Sequence, residues 1–116
     1  MPQNEGLQMT KQEALLRIDE LQDEIKAQEE VVTRDIDTKY AEVDYQKKTL
    51  VIEDLNLQTA QKGLDKANLQ YKSGEVSYKA LMNIKIEYEK MKDSYGRALR
   101  ELAYRITKLN NSCGVG

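Results

Sequence analysis

Residues 71–78 read Tyr-Lys-Ser-Gly-Glu-Val-Ser-Tyr, and this stretch decides the fold because it combines a helix end with a helix start. Gly74 has no Cβ and can adopt the left-handed backbone conformation that ends a helix. Three residues later, the hydroxyl of Ser77 can accept hydrogen bonds from the first free N–H groups of a following helix. The stretch therefore predicts a turn at Gly74 between two helices.

The segment before the turn has the pattern of one long helix. Thr10 stands three residues before Glu13, which is the spacing of a capping box. Toward the turn, an apolar residue recurs at every seventh position, as in a coiled-coil seam. The members of this row are Ile36, Val43, Leu50, Leu57, Leu64 and Tyr71. We predict a first helix over about residues 10–72, preceded by a disordered leader over residues 1–9.

The segment after the turn has apolar residues at alternating three- and four-residue spacing, with one gap at Arg105. The row contains Leu81, Ile84, Tyr88, Met91, Tyr95, Ala98, Leu102 and Leu109. Two asparagines and two glycines follow it, so we predict a second helix over about residues 77–110 and a flexible tail over residues 111–116. The predicted fold class is all-α: a long antiparallel coiled-coil helical hairpin.

The second predicted helix is much shorter than the first. In an antiparallel hairpin the N-terminal part of the first helix would overhang, and its apolar residues between Leu15 and Val32 would need another partner. We therefore expect self-association, as a dimer or a trimer.

Composition supports a narrow seam rather than a thick core. Charged residues make up 33% of the 116, and Tyr, used seven times, is the only aromatic residue. The net charge is −2 and the two signs alternate along the chain, so neither nucleic acid nor an anionic membrane is predicted as a partner.

No catalytic, cofactor-binding or metal site is predicted. The chain contains no histidine, and its carboxylates lie in mixed runs with Lys and Gln that are typical of a solvated helix face. The one cysteine, Cys113, has no partner for an intrachain disulfide. No apolar run approaches the roughly 20 residues of a membrane-spanning helix, and residues 1–10 do not have the pattern of a signal peptide. We do not expect an enzyme.

Residues 67–83 read Ala-Asn-Leu-Gln-Tyr-Lys-Ser-Gly-Glu-Val-Ser-Tyr-Lys-Ala-Leu-Met-Asn and resemble the signature of TolC-type outer membrane efflux proteins. That signature is Ala-x-x-x-Tyr/Phe-x-x-Gly-x-x-Ser, followed by an apolar pair and Asn or Asp. The resemblance implies one helical half-repeat of an α-helical barrel that is built from three protomers in the cell envelope. In that family the periplasmic tip of the barrel meets an adaptor protein. By resemblance, the tip residues of this chain are Ser73, Gly74, Glu75 and Val76. Family tips usually have an apolar residue where this chain has Glu75.

Two other functions fit the same pattern. One is a structural or scaffolding coiled coil with no role in transport. The other is the hairpin of an adaptor, or of a helical chaperone that holds its clients between coiled-coil arms. The sequence feature that distinguishes the TolC-like hypothesis from the other two is the signature over residues 71–81.

Overall fold

The computed structural model describes residues 10–114 and contains two long α-helices in this range. Helix α1 spans Lys11–Lys72 and helix α2 spans Tyr78–Ser112. They form the predicted antiparallel helical hairpin, and the described residues contain no strand. The predicted disordered leader, residues 1–9, lies outside the described residues, as do the last two residues of the predicted tail.

Helix α1 begins with the capping box that the sequence predicts. The backbone N–H of Glu13 donates to Thr10 Oγ1 at 3.1 Å, and the N–H of Thr10 donates back to Glu13 Oε2 at 3.4 Å. Two of the N–H groups that a helix start leaves without partners are thus satisfied reciprocally.

The turn is a Schellman motif centred on Gly74, which has a φ of 82°. The N–H of Glu75 donates to the carbonyl of Gln70 at 2.8 Å, and the N–H of Gly74 donates to the carbonyl of Tyr71 at 3.1 Å. These two bonds satisfy carbonyls at the end of α1. Ser77 is the N-cap of α2, and its Oγ accepts from the N–H of Ala80 at 3.1 Å. The predicted roles of Gly74 and Ser77 in the turn are both confirmed.

Helix α2 continues two residues beyond its predicted end at residue 110. It ends where Gly114 takes a φ of 75° and donates its N–H to the carbonyl of Asn111 at 3.2 Å. Asn110 and Asn111 lie in the helix. The glycine ends the helix because it adopts the left-handed conformation at lower cost than asparagine.

The chain divides into two compact units, residues 1–37 and residues 38–116. The second unit contains the hairpin, whose buried apolar side chains are Val43, Ala67, Leu81 and Ala98. Ala67 is the most deeply buried of these, at 1% exposure. The core is therefore a single seam between two helices, with small residues at points where they pack closely.

In the first unit, the described residues 11–37 belong to α1. All of their side chains are exposed except Ala14 and Ile36, which are half-buried. This segment draws its helical structure from local hydrogen bonds and has large apolar side chains exposed to solvent.

Candidate functional site

The hairpin turn brings the four predicted tip residues together in one exposed segment. Ser73, Gly74 and Glu75 are exposed, and Val76 is half-buried. Ser73 Oγ donates to the carbonyl of Gln70 at 3.0 Å, so this carbonyl accepts from both the Ser73 hydroxyl and the Glu75 N–H. The backbone of the turn is fixed by its own hydrogen bonds, and its surface is polar apart from Val76.

Gly74 is required at the turn by its conformation, since there is open space around it. A Cβ built on Gly74 would meet no atom within 4 Å. The strain of placing an L-residue at a φ of 82° is therefore the main cost of replacing it.

A pair of tyrosines closes the hairpin next to the turn. The rings of Tyr71 and Tyr78 have centroids 6.0 Å apart and planes tilted by 60°. This is the range of a tilted aromatic pair, which contributes about 0.5–1.5 kcal/mol beyond its buried area. The sequence placed Tyr71 on the seam but did not indicate Tyr78. The signal for Tyr78 was its position after the turn, which mirrors that of Tyr71 before it.

The predicted seam residues lie along the hairpin with graded burial. Val43 and Leu81 are buried, and Tyr71 is the most open, at 43% exposure. Ile36, which lies in the first unit, is half-buried. In the second unit, the remaining members are half-buried as well: Leu50, Leu57, Leu64, Ile84, Tyr88, Met91, Tyr95 and Leu102. Half-burial along two facing rows is typical of an isolated pair of helices, where each seam position keeps one side toward solvent.

The end of the seam away from the turn is polar. Arg105 forms salt bridges with Glu42 of α1 at 3.2 Å and with Glu101 of its own helix at 2.9 Å. Lys39 Nζ donates to Ser112 Oγ, and Gln46 is buried to 7% exposure. In the sequence pattern, Arg105 is the gap in the apolar row. Polar groups at such positions fix the register of a helix pair.

The register of the hairpin follows from these contacts. Contacting residues on the two helices have numbers that add up to 147 for Glu42 and Arg105, 149 for the tyrosine pair and 151 for Lys39 and Ser112. A turn centred between Gly74 and Glu75 implies a sum of about 149. Given that centre, the sequence could have placed Glu42 opposite Arg105.

Helix α1 also has exposed apolar side chains away from the seam. Tyr45, Ile52, Leu55 and Leu69 are between 56% and 68% exposed. In the first unit, exposures run from 41% to 63% for Leu15, Leu16, Ile18, Leu21, Ile25, Val31 and Val32. These exposed apolar side chains form candidate surfaces for helix packing.

Within residues 10–114, no group of three or more Cys, Asp or Glu side chains is arranged to hold a metal ion. Cys113, at the C-cap of α2, is a free and exposed thiol. Neither of the two described helices is long and apolar enough to cross a membrane.

The fold defines the class of the protein: an all-α, coiled-coil helical hairpin. Comparison of the chain with protein families, with curated proteins and with solved structures finds no match. The likeness to TolC-type proteins therefore rests on residues 67–83 and on the helical pattern that flanks them.

Proposed function

We propose that this chain is a structural element of a TolC-like export channel, which acts by helix packing and by contact of its turn with an adaptor protein. The observation that carries the proposal is the role of three signature residues in the hairpin. Ala67 is the most buried side chain, Gly74 ends α1 and Ser77 begins α2. The spacing that resembles the family signature is thus the spacing that this turn needs.

The exposed apolar faces support packing into a larger helical assembly. Ile52, Leu55 and Leu69 are each more than half exposed, and packing within the hairpin does not bury them. In a helical barrel each hairpin has neighbours on both sides, and these would cover such a second face. The proposed assembly is a homo-oligomer, either a dimer or a trimer, in the periplasmic part of the cell envelope.

The turn supplies the proposed adaptor contact. It exposes Ser73, Gly74 and Glu75 around a half-buried Val76, on a backbone that its own hydrogen bonds hold in place. A preorganised loop loses little conformational entropy on docking. Glu75 adds a charge to this surface, so the matching adaptor surface should offer a hydrogen-bond donor or a cation to its carboxylate.

A pull-down with a periplasmic adaptor from the same cell tests this role. The variants are Val76→Asp and Glu75→Lys, and the matched control is Glu87→Lys, an exposed charge reversal on α2 far along the sequence from the turn. We expect the two tip variants to recover at least 10-fold less adaptor than the wild type or the control. Equal recovery of all four proteins would rule out docking through the turn.

A scaffolding coiled coil is the second candidate, and the polar character of the turn favours it. In a Schellman motif, the two residues at the positions of Gln70 and Glu75 are commonly apolar and contact each other. Here both residues are polar. A scaffold needs the turn only to reverse the chain. Replacing Gly74 would then lower stability with no further loss of partner binding.

A further inference from the structure

Charge is distributed unevenly between two segments of the chain. Residues 11–37, here called the acidic segment, contain four basic and nine acidic side chains, for a net charge of −5. Helix α2, residues 78–112, contains eight basic and four acidic side chains, for a net charge of +4. The two signs alternate locally within each segment, and the overall net charge of −2 hides the difference between the segments.

The acidic segment has an apolar row with nothing over it. Ile18, Ile25 and Val32 recur at seven-residue intervals and are 52%, 58% and 51% exposed. Glu24 and Glu29 flank this row, and neither enters a salt bridge within residues 10–114. The segment therefore combines a narrow aliphatic stripe with carboxylates that are open to outside partners.

Helix α2 has a surface of the complementary kind. Lys85, Lys92, Leu99 and Ile106 recur at seven-residue intervals. The first three each follow a member of the seam row, and Ile106 follows the gap in that row at Arg105, so all four lie on one flank of the helix. Leu99 is 48% exposed and Ile106 is 37% exposed. Lys85 and Lys92 are exposed and enter no salt bridge in the described part of the chain. Their aliphatic stems can extend the apolar row while their ammonium groups remain in water.

We infer that the acidic segment of one copy docks on this flank of α2 in a second copy of the chain. This inference rests on the self-association proposed above and names its surfaces. Lengths agree, since 27 helical residues span about 40 Å and the 35 residues of α2 span about 50 Å at ~1.5 Å per residue. Docking covers Ile18, Ile25 and Val32 and places carboxylates beside lysines.

The obvious competitor, pairing of two acidic segments, is opposed by charge. It would set a segment of net charge −5 against another of the same charge. Like charges across a helix pair are destabilising and work as a device for choosing partners. Docking on α2 replaces this repulsion with attraction.

Sedimentation equilibrium at low salt tests the inference with two charge-reversed variants. One is Glu24→Lys with Glu29→Lys, and the other is Lys85→Glu with Lys92→Glu. The matched control for the second is Lys62→Glu with Lys66→Glu, which makes the same charge change at exposed positions of α1. Circular dichroism of each variant verifies that the helices are retained.

We expect both docking variants to weaken self-association by about 10-fold or more, since each variant loses two attractive exposed pairs and gains repulsion in their place. The control should associate like the wild type. An equimolar mixture of the two docking variants should associate more tightly than either alone, because one chain retains the acidic segment and the other retains the basic flank.

Two results would overturn the inference, and a third would refute the self-association on which it rests. The Glu24→Lys, Glu29→Lys variant can associate as tightly as the wild type or more tightly only when the acidic segment does not dock on a basic surface. That result would therefore exclude docking on the flank of α2. If the Lys85→Glu, Lys92→Glu variant behaves like its control, the segment docks elsewhere. In both cases self-association survives. A wild type that remains monomeric at high micromolar concentration would instead refute the self-association proposed above.

Discussion

Replacing Gly74 by alanine should destabilise the hairpin through backbone strain alone. Gly74 has a φ of 82°, and an added Cβ would contact nothing within 4 Å. The cost is therefore that of a left-handed L-residue, about 1–2 kcal/mol. Alanine also lowers the conformational entropy of the unfolded chain, and this effect stabilises the folded state by about 0.4–1 kcal/mol. We expect a net loss of roughly 1 kcal/mol.

Gly63 provides a matched control with the opposite sign. It lies in the interior of α1, is exposed, and also has nothing within 4 Å of a built Cβ. Gly63→Ala should stabilise the protein by about 0.5–1 kcal/mol, because glycine is that much worse than alanine inside a helix. The same chemical change thus raises stability at residue 63 and lowers it at residue 74.

Urea unfolding followed by circular dichroism at 222 nm measures both effects. The dependence of the free energy of unfolding on urea concentration should have the same slope in all three proteins. The urea concentration at the midpoint of unfolding should fall for Gly74→Ala and rise for Gly63→Ala. Gly74→Asn should be less destabilising than Gly74→Ala, since asparagine tolerates the left-handed region better. A Gly74→Ala protein as stable as the wild type, alongside a stabilised Gly63→Ala protein, would contradict the left-handed turn.

Two further substitutions test the packing and the cap that hold the turn. Ala67→Leu should cost about 1–3 kcal/mol, because Ala67 is 1% exposed and a larger side chain must push the helices apart, whereas Ala41→Leu at an exposed position of α1 should change thermal stability little. Equal melting temperatures for these two variants would show that the helices do not pack at Ala67. Ser77→Ala should cost about 1 kcal/mol through loss of the hydrogen bond from Ala80, and Ser77→Asp should retain most of the stability, as judged by urea unfolding. If alanine and aspartate at residue 77 unfold alike, Ser77 does not cap α2.

The helices and the turn could be predicted from sequence because their signals are local. The capping box at Thr10, the left-handed glycine and the N-cap serine act on backbone groups within a few residues of themselves. Seven-residue periodicity then indicates which side of each helix faces the other. The end of α2 was missed by two residues because two asparagines precede the glycine that ends it.

The polar end of the seam could not be read from either helix separately. Arg105 looked like an interruption until the register placed Glu42 opposite it at 3.2 Å. Gln46 is a polar residue outside the apolar row of α1, yet it is buried to 7% exposure. Such positions depend on the pairing between helices, which sequence periodicity determines only after the centre of the turn is known. What docks on the exposed faces depends on other chains, and a single sequence holds only the charge and apolar pattern that limits the choice.

A distance between spin labels on the two helices shows whether the chain folds back on itself at Gly74. Labels on Ala41→Cys and Tyr104→Cys, with Cys113→Ser, would lie at exposed positions next to the contacting pair Glu42 and Arg105. Packed helices lie about 8–10 Å apart, so we expect a label distance of roughly 20 Å. The distance should persist when labelled protein is diluted into unlabelled protein. A distance on the order of 90 Å, as in one straight helix at ~1.5 Å per residue, or a short distance that disappears on dilution, would contradict the hairpin.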